Sequence, residues 1–118
     1  MSRWFEFSQN NSGGSFTHDA EAGIGYSVWI EATDSNHAAE RAEAIGLYFD
    51  GIDDGRDCEC CGDRWYRPWR ESGDALPLRY GKVYQQAGEE GPQLDWGIPS
   101  YIHPLDGPFY AAALQPGA

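Results

Sequence analysis

The most chemically distinctive stretch of this chain is Asp57-Cys58-Glu59-Cys60-Cys61-Gly62-Asp63-Arg64-Trp65, which holds all three of its cysteines. Cys58 and Cys61 form a C-x₂-C pair followed by Gly62. With that spacing two thiolates converge on one zinc ion while the glycine lets the backbone turn. A structural zinc needs four ligands, and no second C-x₂-C exists in the sequence. Cys60, His37, His18, His103 and Asp63 are the candidates for the rest, each of which the fold would have to bring in. The competing reading is that these cysteines pack as small hydrophobes in a reducing compartment. A redox pair fits less well, because the acidic surroundings raise a thiol pKa. A catalytic cysteine served by His37 or His103 has nothing local to orient it. Asp50, Asp53, Asp54 and Asp57 invite a calcium loop, but the twelfth position from Asp50 is Cys61 rather than a glutamate. A solvated acidic loop is the expectation there.

A second cluster is Asn10-Asn11-Ser12-Gly13-Gly14. Glycines let backbone N–H groups approach a ligand closely, and successive N–H groups can cradle an anion. The lysine and helix of a phosphate-binding Walker loop are absent. If a small anionic ligand binds, this loop and the stretch carrying Arg64, Arg67 and Arg70 are where it would sit. Trp65 and Trp69 would then stack on a base. The competing readings are an ordinary turn filled by Gly and Asn, and tryptophans that belong to the core. His18, His37 and His103 stand apart from one another, and no complete catalytic constellation can be read. A non-enzymatic protein is the favoured reading, and an enzyme acting on nucleotides through a metal ranks last.

The elements that would position these clusters follow from periodicity. Trp4 to Ser8 reads as a strand with Phe5 and Phe7 on one face and Trp4 and Glu6 on the other. Ile24, Tyr26, Val28 and Ile30 alternate with Gly25, Ser27, Trp29 and Glu31, the period of a half-buried strand. The period then changes. Thr33 or Asp34 can cap a helix from about Ser35 to Ile45, with Ala38, Ala42 and Ile45 on one face and Gly46 as the stop. Leu47 to Phe49 is a short buried strand or a core-bound loop. Lys82 to Gln86 is a further strand. Tyr101–His103 and Phe109–Ala113 can pair around the turn-forming residues between them. Strands, one helix, then more strands predict an α+β fold, a small antiparallel sheet with one main helix packed on one face. No repeat and no second domain is evident, so residues 1–118 are read as a single domain.

Composition limits what such a domain can do. The 118 residues carry five Trp, seven Tyr and five Phe, ample for a core without disulfides or metal. The net charge is −11. A chain so acidic repels phosphate backbones and anionic membranes, which excludes direct nucleic-acid and membrane binding. The plain reading is that the acidity keeps the protein soluble; the sharper one is that it favours a basic partner, such as a nucleic-acid-binding protein whose ligand it imitates. No run approaches the length of a membrane helix, and Met1 to Phe7 lacks the apolar core of a signal peptide. The expected location is the cytoplasm.

Three segments together carry a resemblance. They are Phe5 to Gly14 with the Asn-Asn-Ser-Gly-Gly loop, Ile45-Gly46-Leu47-Tyr48-Phe49-Asp50-Gly51, and Asp57 to Trp65. In this order they resemble small uncharacterised proteins encoded by tailed bacteriophages, over roughly the first seventy residues. The resemblance carries over no functional residue. It implies expression in an infected bacterial cytoplasm. By analogy with small acidic phage proteins outside the virion, it implies a host factor as the target, in host takeover or defence evasion. A sponge for an anionic or nucleotide ligand and a minor virion component are the alternatives.

Overall fold

The computed structural model describes residues 2–10, 16–57, 62–68 and 71–115. Its elements are β1 (Arg3–Ser8), β2 (Ser27–Ala32), α1 (Ser35–Ile45), β3 (Leu78–Arg79), β4 (Lys82–Gln86), β5 (Leu94–Asp95), β6 (Ile98–Pro99), β7 (Tyr101–His103) and β8 (Tyr110–Leu114). Six strands form one sheet in the order β1-β2-β7-β8-β4-β3, and β5 and β6 form a separate hairpin. The sheet curls until its two edges nearly meet, so the molecule is mostly β and barrel-like.

This overturns the expected α+β plan of a small antiparallel sheet with one main helix on a face. The reason lies in β1 and β2, which carry large side chains on both faces. Phe5, Phe7, Val28, Ile30 and Ala32 point to one side, where α1, Leu47, Phe49 and Trp65 cover them. Trp29 points to the other, where it packs with Tyr84, Ile102 and Ala112 and against Trp4, Tyr110 and Leu114. One short helix can bury only the first face. The second is buried by curling the sheet on itself, which removes its apolar surface from water and shortens its open edges. The sheet is also mixed: β2 and β7 run parallel, while the other pairs are antiparallel.

Local chemistry sets the helix ends. The Asp34 carboxylate accepts the His37 N–H at 2.8 Å, and Gly46 ends the helix with φ 121° and its N–H directed to the Ala42 and Glu43 carbonyls. Ala38 and Ala42 are fully buried, and their small side chains let the helix sit close to β2. Leu47 to Phe49 is a core-bound loop whose Leu47 and Phe49 are buried. Strand β2 begins at Ser27 rather than Ile24, because Gly25 passes against Pro99. A Cβ there would lie 1.9 Å from the Pro99 carbonyl oxygen, and the Tyr26 N–H donates to that same oxygen at 2.9 Å. Among the described residues, no helix is long and apolar enough to cross a membrane.

Candidate functional site

Two tight hairpins stand at the barrel rim. Arg79 pairs with Lys82 across the turn Tyr80-Gly81, and Asp95 pairs with Ile98 across the turn Trp96-Gly97. Both residues of each turn have positive φ: 52° and 76° in the first, 56° and 76° in the second. These are the conformations a two-residue hairpin needs to match strand twist, and Asn, Asp or Gly normally fill the first position. Here bulky aromatics fill it. Tyr80 is 97% exposed and Trp96 79% exposed. Nothing in the core gains from either side chain, although Trp96 stacks on Phe16 with centroids 6.1 Å apart.

One arginine ties the two hairpins together. Arg79 Nε donates to Glu6 Oε2 at 3.0 Å, Nη1 to Asp95 Oδ2 at 3.1 Å, and Nη2 to Ser100 Oγ at 3.3 Å. Its guanidinium carbon lies 5.0 Å from the Tyr26 ring centroid and 5.1 Å from those of Trp29 and Tyr84. Glu6 Oε2 also accepts from the Ser8 and Ser27 hydroxyls. The Arg79 side chain is only 10% exposed. Burial alone would lower its pKa, but Glu6, Tyr84 and Asp95 outweigh burial and hold it above the ordinary value. Burial likewise pushes the Tyr84 hydroxyl up, so it stays protonated at neutral pH.

Around this arginine runs a cleft of about 700 Å³. Its aromatic walls are Trp4, Tyr26, Tyr80 and Tyr84, and its charged lining is Glu6, Asp74, Asp95, Arg79 and Lys82. Three carboxylates against two cations leave it net negative. Among the described residues, neither a histidine nor a cysteine lines it. It offers apolar walls, a fixed guanidinium and surplus carboxylate, a chemistry suited to recognition.

The residues singled out in the sequence fall elsewhere. The Asn10 N–H donates to the Arg64 carbonyl at 2.7 Å, so the start of the Gly-rich loop and the arginine stretch do meet. Gln9 makes that junction, accepting from Arg64 Nη1 and the Thr17 N–H and donating to the Thr17 and Gly25 carbonyls. Asn11, Ser12, Gly13, Gly14, Trp69 and Arg70 lie outside the described residues. Trp65 is 2% exposed within the core that holds Phe7 and Phe49, with no face open to a base. Arg67 is exposed and lies over the Phe49 ring.

Cys58, Cys60 and Cys61 also lie outside the described residues. His37 sits in the first turn of α1 with its Nδ1 engaged by Thr33, and Asp63 accepts the Ile52 N–H. Asp57 accepts from the Tyr48 hydroxyl and the Arg64 N–H. Carboxylates of the acidic loop thus hold its own backbone. Among the described residues no group of three or more His, Cys, Asp or Glu is placed to hold a metal. His18 meets the Tyr101 hydroxyl, and His103 meets the Gly23 carbonyl.

Sequence reasoning missed Arg79, Asp95, Tyr80 and Trp96. The available signal was the pair Arg79-Tyr80-Gly81-Lys82 and Asp95-Trp96-Gly97-Ile98, each an aromatic-glycine step between opposed strand residues. No curated protein and no solved structure matches the chain. A family model does match, over residues 2–115, and its description is Domain of unknown function (DUF7296). With almost all of its length inside that match, the protein belongs to the DUF7296 family.

Proposed function

We propose that this protein is a non-enzymatic docking module that captures a basic protein at its barrel rim, and that it serves a tailed phage by occupying a host factor in the infected cytoplasm. One observation carries the reading. Two aromatics, Tyr80 and Trp96, are held exposed at turn positions that disfavour them, on hairpins joined by Arg79 beside a net-negative cleft. Strained, exposed aromatics are a cost to folding, and such costs persist where a surface is used. Aromatic anchors beside charge complementary to the partner are the ordinary chemistry of protein recognition. The net charge of −11 gives the same preference at long range. The reading of an anionic-ligand sponge draws less support, since Trp65 is committed to the core.

Affinity capture from lysate of the bacterial host tests this, with wild type beside a Tyr80→Asn/Trp96→Asn variant. The expected result is a basic protein retained by wild type and lost by the variant, while the variant keeps the wild-type circular dichroism. Equal capture by both, or no protein above background with wild type, overturns the proposal.

A further inference from the structure

Both rim hairpins lie within residues 71–115, a stretch described throughout. The aromatic rings of the rim form a row. Trp96 stacks on Phe16 with centroids 6.1 Å apart, and Phe16 meets Tyr26 edge-on at 5.5 Å. Tyr26 in turn lines the cleft and carries the Arg79 guanidinium over its ring. The row therefore runs from the tip of the second hairpin into the cleft. Tyr80, next to Arg79 in the chain, stands exposed at the tip of the first hairpin, and Leu94 is exposed on the second. At the inner end of the row lie the carboxylates of Glu6 and Asp95. Two carboxylates against one guanidinium leave a negative charge there, and both side chains are partly open to solvent.

We infer that the segment captured at this rim is a proline-rich stretch in the polyproline II conformation, with a Lys or Arg beside its prolines. This rests on the docking function proposed above and names the class of segment it takes. Three features of the rim select that class. The first is the row of rings, against which pyrrolidine rings pack. One turn of a polyproline helix advances about 9 Å, the scale of two ring-to-ring steps along the row. The second is that Tyr26, Tyr80 and Trp96 each end in an O–H or N–H donor. A polyproline helix makes no internal hydrogen bonds, so its carbonyls are open to such donors. The third is the surplus carboxylate beside Arg79, which a basic side chain balances. The bound conformation of such a segment is largely in place beforehand, so little ordering entropy is lost and a small rim suffices to hold it.

The probe is a short acetylated and amidated peptide of proline and leucine with an arginine at each end. One control peptide has alanine for every proline, and a second has glutamate for each arginine. NMR titration reads the backbone signals of the rim and the Trp96 indole N–H. The proline peptide is expected to shift Tyr80, Trp96 and the indole in a saturable way, and each control to bind about tenfold or more weakly. Trp96→Asn should weaken the proline peptide about tenfold as well. Three results overturn the polyproline reading yet leave the docking function standing. One is equal binding of the alanine control. Another is shifts confined to surfaces away from the rim, such as α1. The third is no shift with millimolar proline peptide while the rim still captures a basic protein from lysate. If Trp96→Asn does not fold, the three peptides on wild type decide alone. No shift with any peptide, together with no protein captured from lysate, overturns both readings.

Discussion

Replacing Arg79 tests whether one buried cation holds the rim together. Arg79→Ala removes three hydrogen bonds, to Glu6, Asp95 and Ser100, and a cation from beside three rings. Hydrogen bonds involving charged groups contribute about 1.5–3 kcal/mol each, and a cation near a ring about 0.5–2. The simple sum overshoots, because burying the guanidinium is itself costly. Glu6 and Asp95 are also 25% and 29% exposed, so water takes over part of their lost pairing. The expected net loss is about 3 kcal/mol, at the low end for removing one partner of a buried pair. Arg79→Lys should lose about 2 kcal/mol, since a compact ammonium cannot reach three acceptors at once. The triple variant Glu6→Gln/Arg79→Met/Asp95→Asn leaves no uncompensated charge and should lose less than Arg79→Ala. Urea denaturation measures all three. With a slope of about 1–3 kcal/mol per molar, a 3 kcal/mol loss lowers the midpoint by about 1–3 M. A shift below about 0.5 kcal/mol for Arg79→Ala, or a triple variant weaker than the single, would refute the charge-coupled cluster.

Three further expectations follow from the same geometry. Tyr80→Asn should raise stability by about 0.5–1 kcal/mol in thermal unfolding, because Asn tolerates positive φ better and a 97% exposed ring has little packing to lose; a fall in Tm of more than a degree or two would argue that Tyr80 packs on something. Trp65→Ala should lower stability by about 3–5 kcal/mol as a large core truncation, and an unchanged urea midpoint would return Trp65 to the list of ligand contacts. His103 donates Nε2–H to the Gly23 carbonyl, and burial lowers its pKa, opposed by that hydrogen bond and reinforced by Arg41. The unfolded chain takes up a proton near its ordinary value of about 6.5 while the folded chain still resists, so stability falls as pH drops below about 6.5 and continues to fall to the lowered folded value. His103→Gln should flatten the loss between about pH 7 and 5.5, above the range where most carboxylates titrate, and an equal slope in both proteins would exclude His103 as its source.

Local signals in the chain were sufficient for its longer elements, but not for the two-residue strands β3, β5 and β6, which are too short to show a period. Alternation identified the two faces of β1 and β2, Asp34 and Gly46 bounded α1, and Lys82–Gln86 and the β7–β8 pair lay where their residue types put them. These features depend on neighbours within a few residues, and short-range periodicity reports them. The closure of the sheet was not legible in the same way. Trp29 and Trp4 on the second face of their strands said that this face must be buried, but not whether a helix or the sheet itself would bury it. That depended on Tyr84, Ile102 and Ala112, more than fifty residues along the chain.

The site was hidden for the same reason. Glu6, Arg79 and Asp95 are unremarkable charged residues in sequence, and only curling brings the ends of the chain's strands together around one guanidinium. The acidic balance and the aromatic content were fixed by composition alone. The tertiary structure decided which carboxylates line the cleft, and which tryptophans serve the core and which the surface. Burial depends on what long-range packing covers, and Trp65 and Trp96 look alike until that packing is in place.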